Sequence, residues 1–279
     1  MSKPQFNIQK VSNHGASHPV VARLVMQTDD LLGFLDKKKK AEAMRIYIDL
    51  HKRLLQCHDI AERIFKEKER ALAYYIAALP SGSTTIPHVI NLDMEAESFL
   101  LVAKQYIRDL VKAINLLLKA TLKIDSAVFW DHTGAESSVV KWAKRTYGNQ
   151  HPTTQMFSEE DKWISELVKK RNAVEHPGGF SGTLVVENYK HTSQGIVPPS
   201  WRRDGSANAP SDIFRDLRTY LENMLTLGED IVAKALEHSD VPKIFKIAEI
   251  PVERRSKVAP RRLMVVLSED AIAAAKRSD

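Results

Sequence analysis

The hexapeptide Arg171-Asn172-Ala173-Val174-Glu175-His176 gathers a permanent cation, an amide and a titratable imidazole, and Pro177-Gly178-Gly179 follows it at once. An imidazole can move a proton near neutral pH, and a guanidinium can hold a phosphate in a bidentate grip. Together these groups suit general acid–base chemistry on a phosphodiester. On a helix, positions five apart diverge by about 140° and positions four apart by about 40°. Asn172 and His176 therefore share one face. Arg171 and Glu175 share the adjacent one, where they can form an ordinary surface ion pair of little energetic value. A cationic His176 in the last turn before a Pro-Gly-Gly stop also interacts well with the helix dipole. Every residue of the hexapeptide thus has a structural role open to it as well as a chemical one.

Spacing alone is a weak signal. Arginine followed by histidine after four to six intervening residues is expected by chance about two times in such a chain. Here Arg45/His51, Arg53/His58 and Arg145/His151 share the pattern with Arg171/His176. Context separates the last pair: an asparagine directly after the arginine, a helix end, and a chain break just beyond.

On these residues the chain resembles the HEPN superfamily, helical proteins whose ribonuclease members carry Arg-x4-6-His, commonly with a polar residue such as Asn after the Arg. The resemblance covers roughly residues 40 to 240, and no His-x-Tyr continuation follows His176. It implies a helical bundle, a homodimer in which both motifs face one composite cleft, and RNA cleavage that needs neither metal nor another cofactor. It further implies His176 as general base or acid at the 2′-hydroxyl and leaving oxygen, Arg171 as the group stabilising phosphorane charge, and Asn172 orienting the imidazole or touching phosphate. The products would be 2′,3′-cyclic phosphates, DNA would not be a substrate, and the setting would be defence or stress, with a neutralising or regulatory protein partner. The rival expectation is a non-catalytic helical module that docks RNA or protein. A small-ligand site between helices is a third, with no particular residues behind it.

Other chemistry-bearing groups are fewer. Arg254, Arg255, Lys257, Arg261 and Arg262 stand against one acid, Glu253, and are the candidate phosphate contacts, since arginines on an exposed loop can fork to phosphates. Trp201-Arg202-Arg203 can stack on a base, although an anchoring tryptophan is the plainer expectation. His14 and His18 have helix-like spacing in a stretch expected to be irregular, and Lys37 to Lys40 read as a solvated surface. No phosphate-binding glycine loop or His-Glu-x-x-His pattern occurs, which disfavours a nucleotide-binding loop or zinc hydrolase. The single cysteine, Cys57, excludes an intramolecular disulfide and sits on a helical apolar pattern, as a buried thiol would.

A chain of 279 residues with 43% hydrophobic and 27% charged residues is ordinary for a soluble protein with a substantial core. Its net charge of +6 permits an acidic partner without demanding one. No apolar stretch approaches the roughly 20 residues that span a bilayer, and the first residues lack the apolar core of a secretory signal, so a cytoplasmic location without membrane contact is expected.

The elements that must position the hexapeptide follow from periodicity. Helices are predicted over Val20 to Leu35, Lys37 to Leu79, Leu92 to Leu122, Ser138 to Tyr147, Ser158 to His176 with Ser158 as cap, and Asp212 to Glu237 capped by Ser211. Thr183 to Tyr189 and Ile196-Val197 read as a small hairpin around His191 to Gly195. Ile244 to Val252 and Leu263 to Leu267 read as strands, and Ser268 to Ala275 as a terminal helix. The expected organisation is an arm over 1–20, a mainly α up-and-down bundle over 21–240 with the hairpin inserted near 183–201, and a short α/β extension over 241–279 carrying the basic loop.

Overall fold

The helical run that opens the described chain changes its hydrogen-bond pattern along its length. Helix α1 (Pro19–Val21) passes into a π-helical stretch, Ala22–Gln27, then α2 (Thr28–Leu31) and a 3-10 turn, Leu32–Phe34. The Nδ1 of His18 caps the start by accepting from the Val20 amide at 3.2 Å. The Thr28 hydroxyl donates to the Arg23 carbonyl within the wide turn, and Arg23 and Gln27 are turned to the same buried acid, Glu229. The computed structural model describes residues 13–81, 85–131, 133–193, 195–239, 241–269 and 271. The expected arm therefore lies in part, and the expected terminal helix in large part, outside the described residues.

Four long helices form the body: α3 (Lys37–Ala78), α4 (Leu92–Leu117), α6 (Pro152–Glu175) and α7 (Ile213–Glu237), with the shorter α5 (Ser138–Tyr147) against α6. Side-chain pairs fix their directions. Arg63 meets Glu95 and Arg53 meets Asp109, so α3 and α4 are antiparallel. The Tyr47 hydroxyl donates to the Gly228 carbonyl while Arg218 lies over Phe65, so α3 and α7 are antiparallel. Lys170 reaches Tyr220 and Thr153 meets His238, so α6 also opposes α7. Thus α3 and α6 run one way and α4 and α7 the other, an up-and-down arrangement.

The stripe predicted on α4, from Ala96 through Phe99, Ala103, Tyr106, Leu110 and Ile114 to Leu117, is buried throughout. On α3 the stripe is buried from Leu50 to Ile64, but Leu72 and Tyr75 are half-buried and Leu79 is exposed, because the described residues cover the outer end only in part. Helix α4 ends at Leu117 and not near Leu122: Lys119 takes a positive φ of 57°, and the Asn115 side chain grips both the amide and the carbonyl of Leu122. Cys57 is buried, and that burial pushes its thiol pKa up, as suits an inert thiol.

The inserted β-structure has three ladders in two sheets, one three-stranded and one two-stranded. Strand β1 (Leu184–Glu187) pairs with β4 (Ser200–Arg203), which pairs with the short β5 (Ser211–Asp212), while β2 (Lys190–Thr192) pairs with β3 (Gly195–Val197) at the tip. Val185 and Val186 therefore face Arg202 and Trp201, and Ile196 faces His191. Trp201 is fully buried, and its indole N–H donates to Asp216 at 2.7 Å. It anchors the ribbon to α7 and has no face free for a base. The extension contributes β6 (Phe245–Glu249) and β7 (Leu263–Leu267), an antiparallel pair within the spans predicted.

Candidate functional site

Helix α6 begins at Pro152, six residues before the predicted Ser158. Proline suits the first helical position, where its missing N–H is not needed, and His151 serves as cap, its Nδ1 accepting from Thr153 at 3.2 Å. The Ser158 hydroxyl instead donates back to the Thr154 carbonyl. The far end of α6 is as predicted: it stops at Glu175, and His176 leaves the helical conformation at φ −131°, ψ 70°.

The loop beyond is stapled by its own backbone. The Gly179 amide donates to His176 O at 3.0 Å, Gly182 to Gly179 O at 2.9 Å, and Gly178 to both Gly182 O and Thr183 Oγ1. Gly182 is required there, since it sits at φ +74° and a Cβ would lie 1.8 Å from the Asp204 carbonyl oxygen. The imidazole is thus held at the junction of a helix end and a closed loop, with its side chain 71% exposed.

Arg171 is less accessible, with 14% of its side chain exposed, and burial draws its pKa below the ordinary value while leaving it a cation at neutral pH. It forms the ion pair with Glu175 that helical spacing permits. The same Glu175 oxygen lies 3.6 Å from His176 Nε2 and 3.7 Å from Nζ of Lys104 on α4. Lys104 also donates to Asn172 Oδ1 at 2.8 Å. Burial, followed by the repulsion of Arg171, lowers the pKa of Lys104, and Asp125 opposes that shift. The Asn172 side-chain oxygen is therefore held by Lys104 and not by the imidazole.

The site so assembled has Arg171, Asn172, Glu175 and His176 from one helix and Lys104 from another. Lys104 escaped the sequence reading because it stands 68 positions away on a helix whose pattern shows only its buried face. In the three rival pairs the histidines sit within or cap helices, and Arg45 and Arg145 are exposed. Arg53 bonds Asp109 and Gln105, His51 is buried and His58 half-buried in α3, and His151 caps α6.

The basic segment of the extension is divided. Arg262 donates to Glu229 at 2.9 Å and pairs with Asp230, Arg261 pairs with Asp30, and Arg255 bonds Glu249 and the Ile250 carbonyl. These three arginines bind the extension to the bundle or to itself. Arg254 and Lys257 are exposed. His14 and His18 do come together, joined by His58 of α3, with ring centroids 4.4 to 5.9 Å apart. Among the described residues no group of three or more His, Cys, Asp or Glu is disposed to hold a metal ion, and no helix is long and apolar enough to cross a membrane.

No family model, curated protein or solved structure matches the chain.

Proposed function

We propose that the protein is a metal-independent endoribonuclease of the HEPN type, acting as a homodimer. The observation that carries this reading is the convergence at the end of α6: an exposed imidazole, His176, beside two cations, Arg171 and Lys104, drawn from different helices. In the reaction His176 takes the proton of a ribose 2′-hydroxyl, whose oxygen attacks phosphorus. The P–O5′ bond breaks, and the leaving oxygen receives the proton that the His176 imidazole took up, giving a 2′,3′-cyclic phosphate and a 5′-hydroxyl. Arg171 stabilises the phosphorane charge, with Lys104 as a second cation. Asn172 acts as a positioning residue, fixing Lys104 against α6. In a dimer, two helix ends across a two-fold axis would supply a second imidazole to the same phosphate.

The test incubates purified protein with mixed single-stranded RNAs in chelator, beside His176→Ala and Arg171→Ala. Cleavage by the wild type that disappears in both folded variants supports the reading. One observation favours the rival, a non-catalytic module for RNA or protein: Arg171 already has an intramolecular partner in Glu175. That rival prevails if no RNA is cut with or without metal. A monomeric mass by light scattering at micromolar concentration removes the composite cleft.

A further inference from the structure

We infer that Lys104, Arg171 and His176 form a binding site for a phosphate group, and that the carboxylate of Glu175 is its intramolecular occupant, which the phosphate displaces. The inference concerns the site of the proposed ribonuclease but needs only binding, not chemistry.

A carboxylate presents two oxygens to a guanidinium in the same forked geometry as two oxygens of a phosphate. Glu175 places one oxygen against all three groups: it pairs with Arg171, lies 3.7 Å from Lys104 Nζ and 3.6 Å from His176 Nε2. That is the arrangement expected of a phosphate stand-in. Its hold is also releasable. Glu175 is in the last turn of α6 with 41% of its side chain exposed, so its carboxylate can turn to water although its partner Arg171 is only 14% exposed. With the carboxylate turned out, two cations remain. An ammonium carries three donors, of which Asn172 Oδ1 engages one, and a guanidinium carries five. Asp125, beyond the end of α4, opposes the lowering of the Lys104 pKa by burial and by Arg171.

The carboxylate offsets one of the two positive charges while it occupies the site. A single buried carboxylate would block it outright, and two unopposed cations would hold any anion. A movable carboxylate selects for a ligand whose charge exceeds its own or whose other contacts add to the exchange.

The experiment titrates the folded full-length protein with inorganic phosphate, following the His176 ring resonances by NMR, and repeats the titration with a short 2′-O-methylated RNA that cannot be cleaved. Glu175→Gln keeps shape and removes charge. It should bind phosphate about tenfold more tightly than wild type, the scale of one charge-assisted hydrogen bond. Glu237→Gln, at the end of α7 beside the start of α6 and so about 30 Å from Glu175, makes the same change in net charge and should leave binding unchanged. Lys104→Met should weaken binding in the Glu175→Gln background. A stronger response to RNA than to phosphate identifies a polynucleotide as the source of the group, and an equal response identifies a free phosphate. Equal affinities of wild type and Glu175→Gln, or phosphate-induced shifts that bypass His176, overturn the inference. Phosphate bound in this pattern by a protein that cuts no RNA defeats the ribonuclease reading alone.

Discussion

Arg23 and Glu229, 206 positions apart, form a two-bond ion pair inside the protein, Nε to Oε1 at 2.9 Å and Nη2 to Oε2 at 2.6 Å, with Glu229 wholly removed from solvent. Gln27 donates to one oxygen of the same carboxylate, and Arg262 of the extension to the other. Gln27 in turn accepts from the amides of Arg262 and Leu263. One buried acid thus ties three separate stretches of chain, and the neighbouring carboxylates raise the pKa values of both arginines.

Glu229→Gln removes the buried counter-charge and leaves Arg23 and Arg262 only their outer partners, Glu222 and Asp230. The expected loss is about 3 kcal/mol of unfolding free energy, the low end for breaking a buried pair, because each guanidinium keeps one carboxylate. Urea denaturation checks this, and an unchanged midpoint would show that water reaches the cluster.

Arg262→Ala should act differently, loosening residues 241–269 before the bundle gives way. Limited proteolysis should then cut in the loop between β6 and β7 faster than in wild type, while the bundle retains most of its helical circular dichroism. In RNA binding, Arg254→Ala and Lys257→Ala should each lower the dependence of log affinity on log salt by about one, as expected for exposed phosphate contacts. Unaltered salt slopes in both variants exclude those two residues from an RNA interface.

Trp201→Ala removes the ribbon's anchor and one of three donors to Asp216 Oδ2, leaving Ser211 and Lys170. A cost of about 3–5 kcal/mol follows for a buried tryptophan. Because β1 continues from the loop that follows His176, the variant should also perturb the His176 resonances. Retention of both stability and spectrum would place the anchor elsewhere.

Acid should weaken the N-terminal packing. Burial, reinforced by neighbouring imidazoles, lowers the pKa of His18 to about 4, and burial likewise lowers those of His51 and His58. Asp59 opposes the shifts of His18 and His58, Glu62 that of His58 and the Ile48 backbone that of His51, while Lys52 adds to that of His51. The folded state therefore binds fewer protons than the unfolded chain. The stabilisation is fully present above the ordinary imidazole pKa and is lost as pH falls towards 4. His18→Asn preserves a capping acceptor without titrating, so its stability profile between neutral pH and pH 4 should be flatter than wild type. Parallel profiles for the two proteins would remove His18 from the account.

Much of this was legible in the chain. Helix α5 occupies Ser138–Tyr147 as predicted, with Ser137 as cap and Gly148 as stop, and the α4 stripe is buried as its period requires. The errors are local competitions. Ser158 is a better capping residue than His151, but Pro152 favours an earlier start, and Ser158 spends its hydroxyl inside the helix. Asp212, not Ser211, caps α7, which leaves the Ser211 hydroxyl for Asp216. In the candidate site the contiguous residues could be read directly and their spacing predicted the Arg171–Glu175 pair. Lys104 and the burial of Glu229 could not be read, because each depends on a partner brought near only by the packing of distant helices.

Helix α3 extends well past its partners, and beyond Ala71 none of its side chains is buried, with Tyr74, Ile76 and Leu79 all open to solvent. Among the described residues, those last turns have little tertiary cover and depend mainly on their own hydrogen bonds. Amide exchange along this one helix should therefore run from protection set by global unfolding near Leu54 to protection set by end fraying near Ala78. A single continuous element thus contains both the slowest and some of the fastest clocks in the protein.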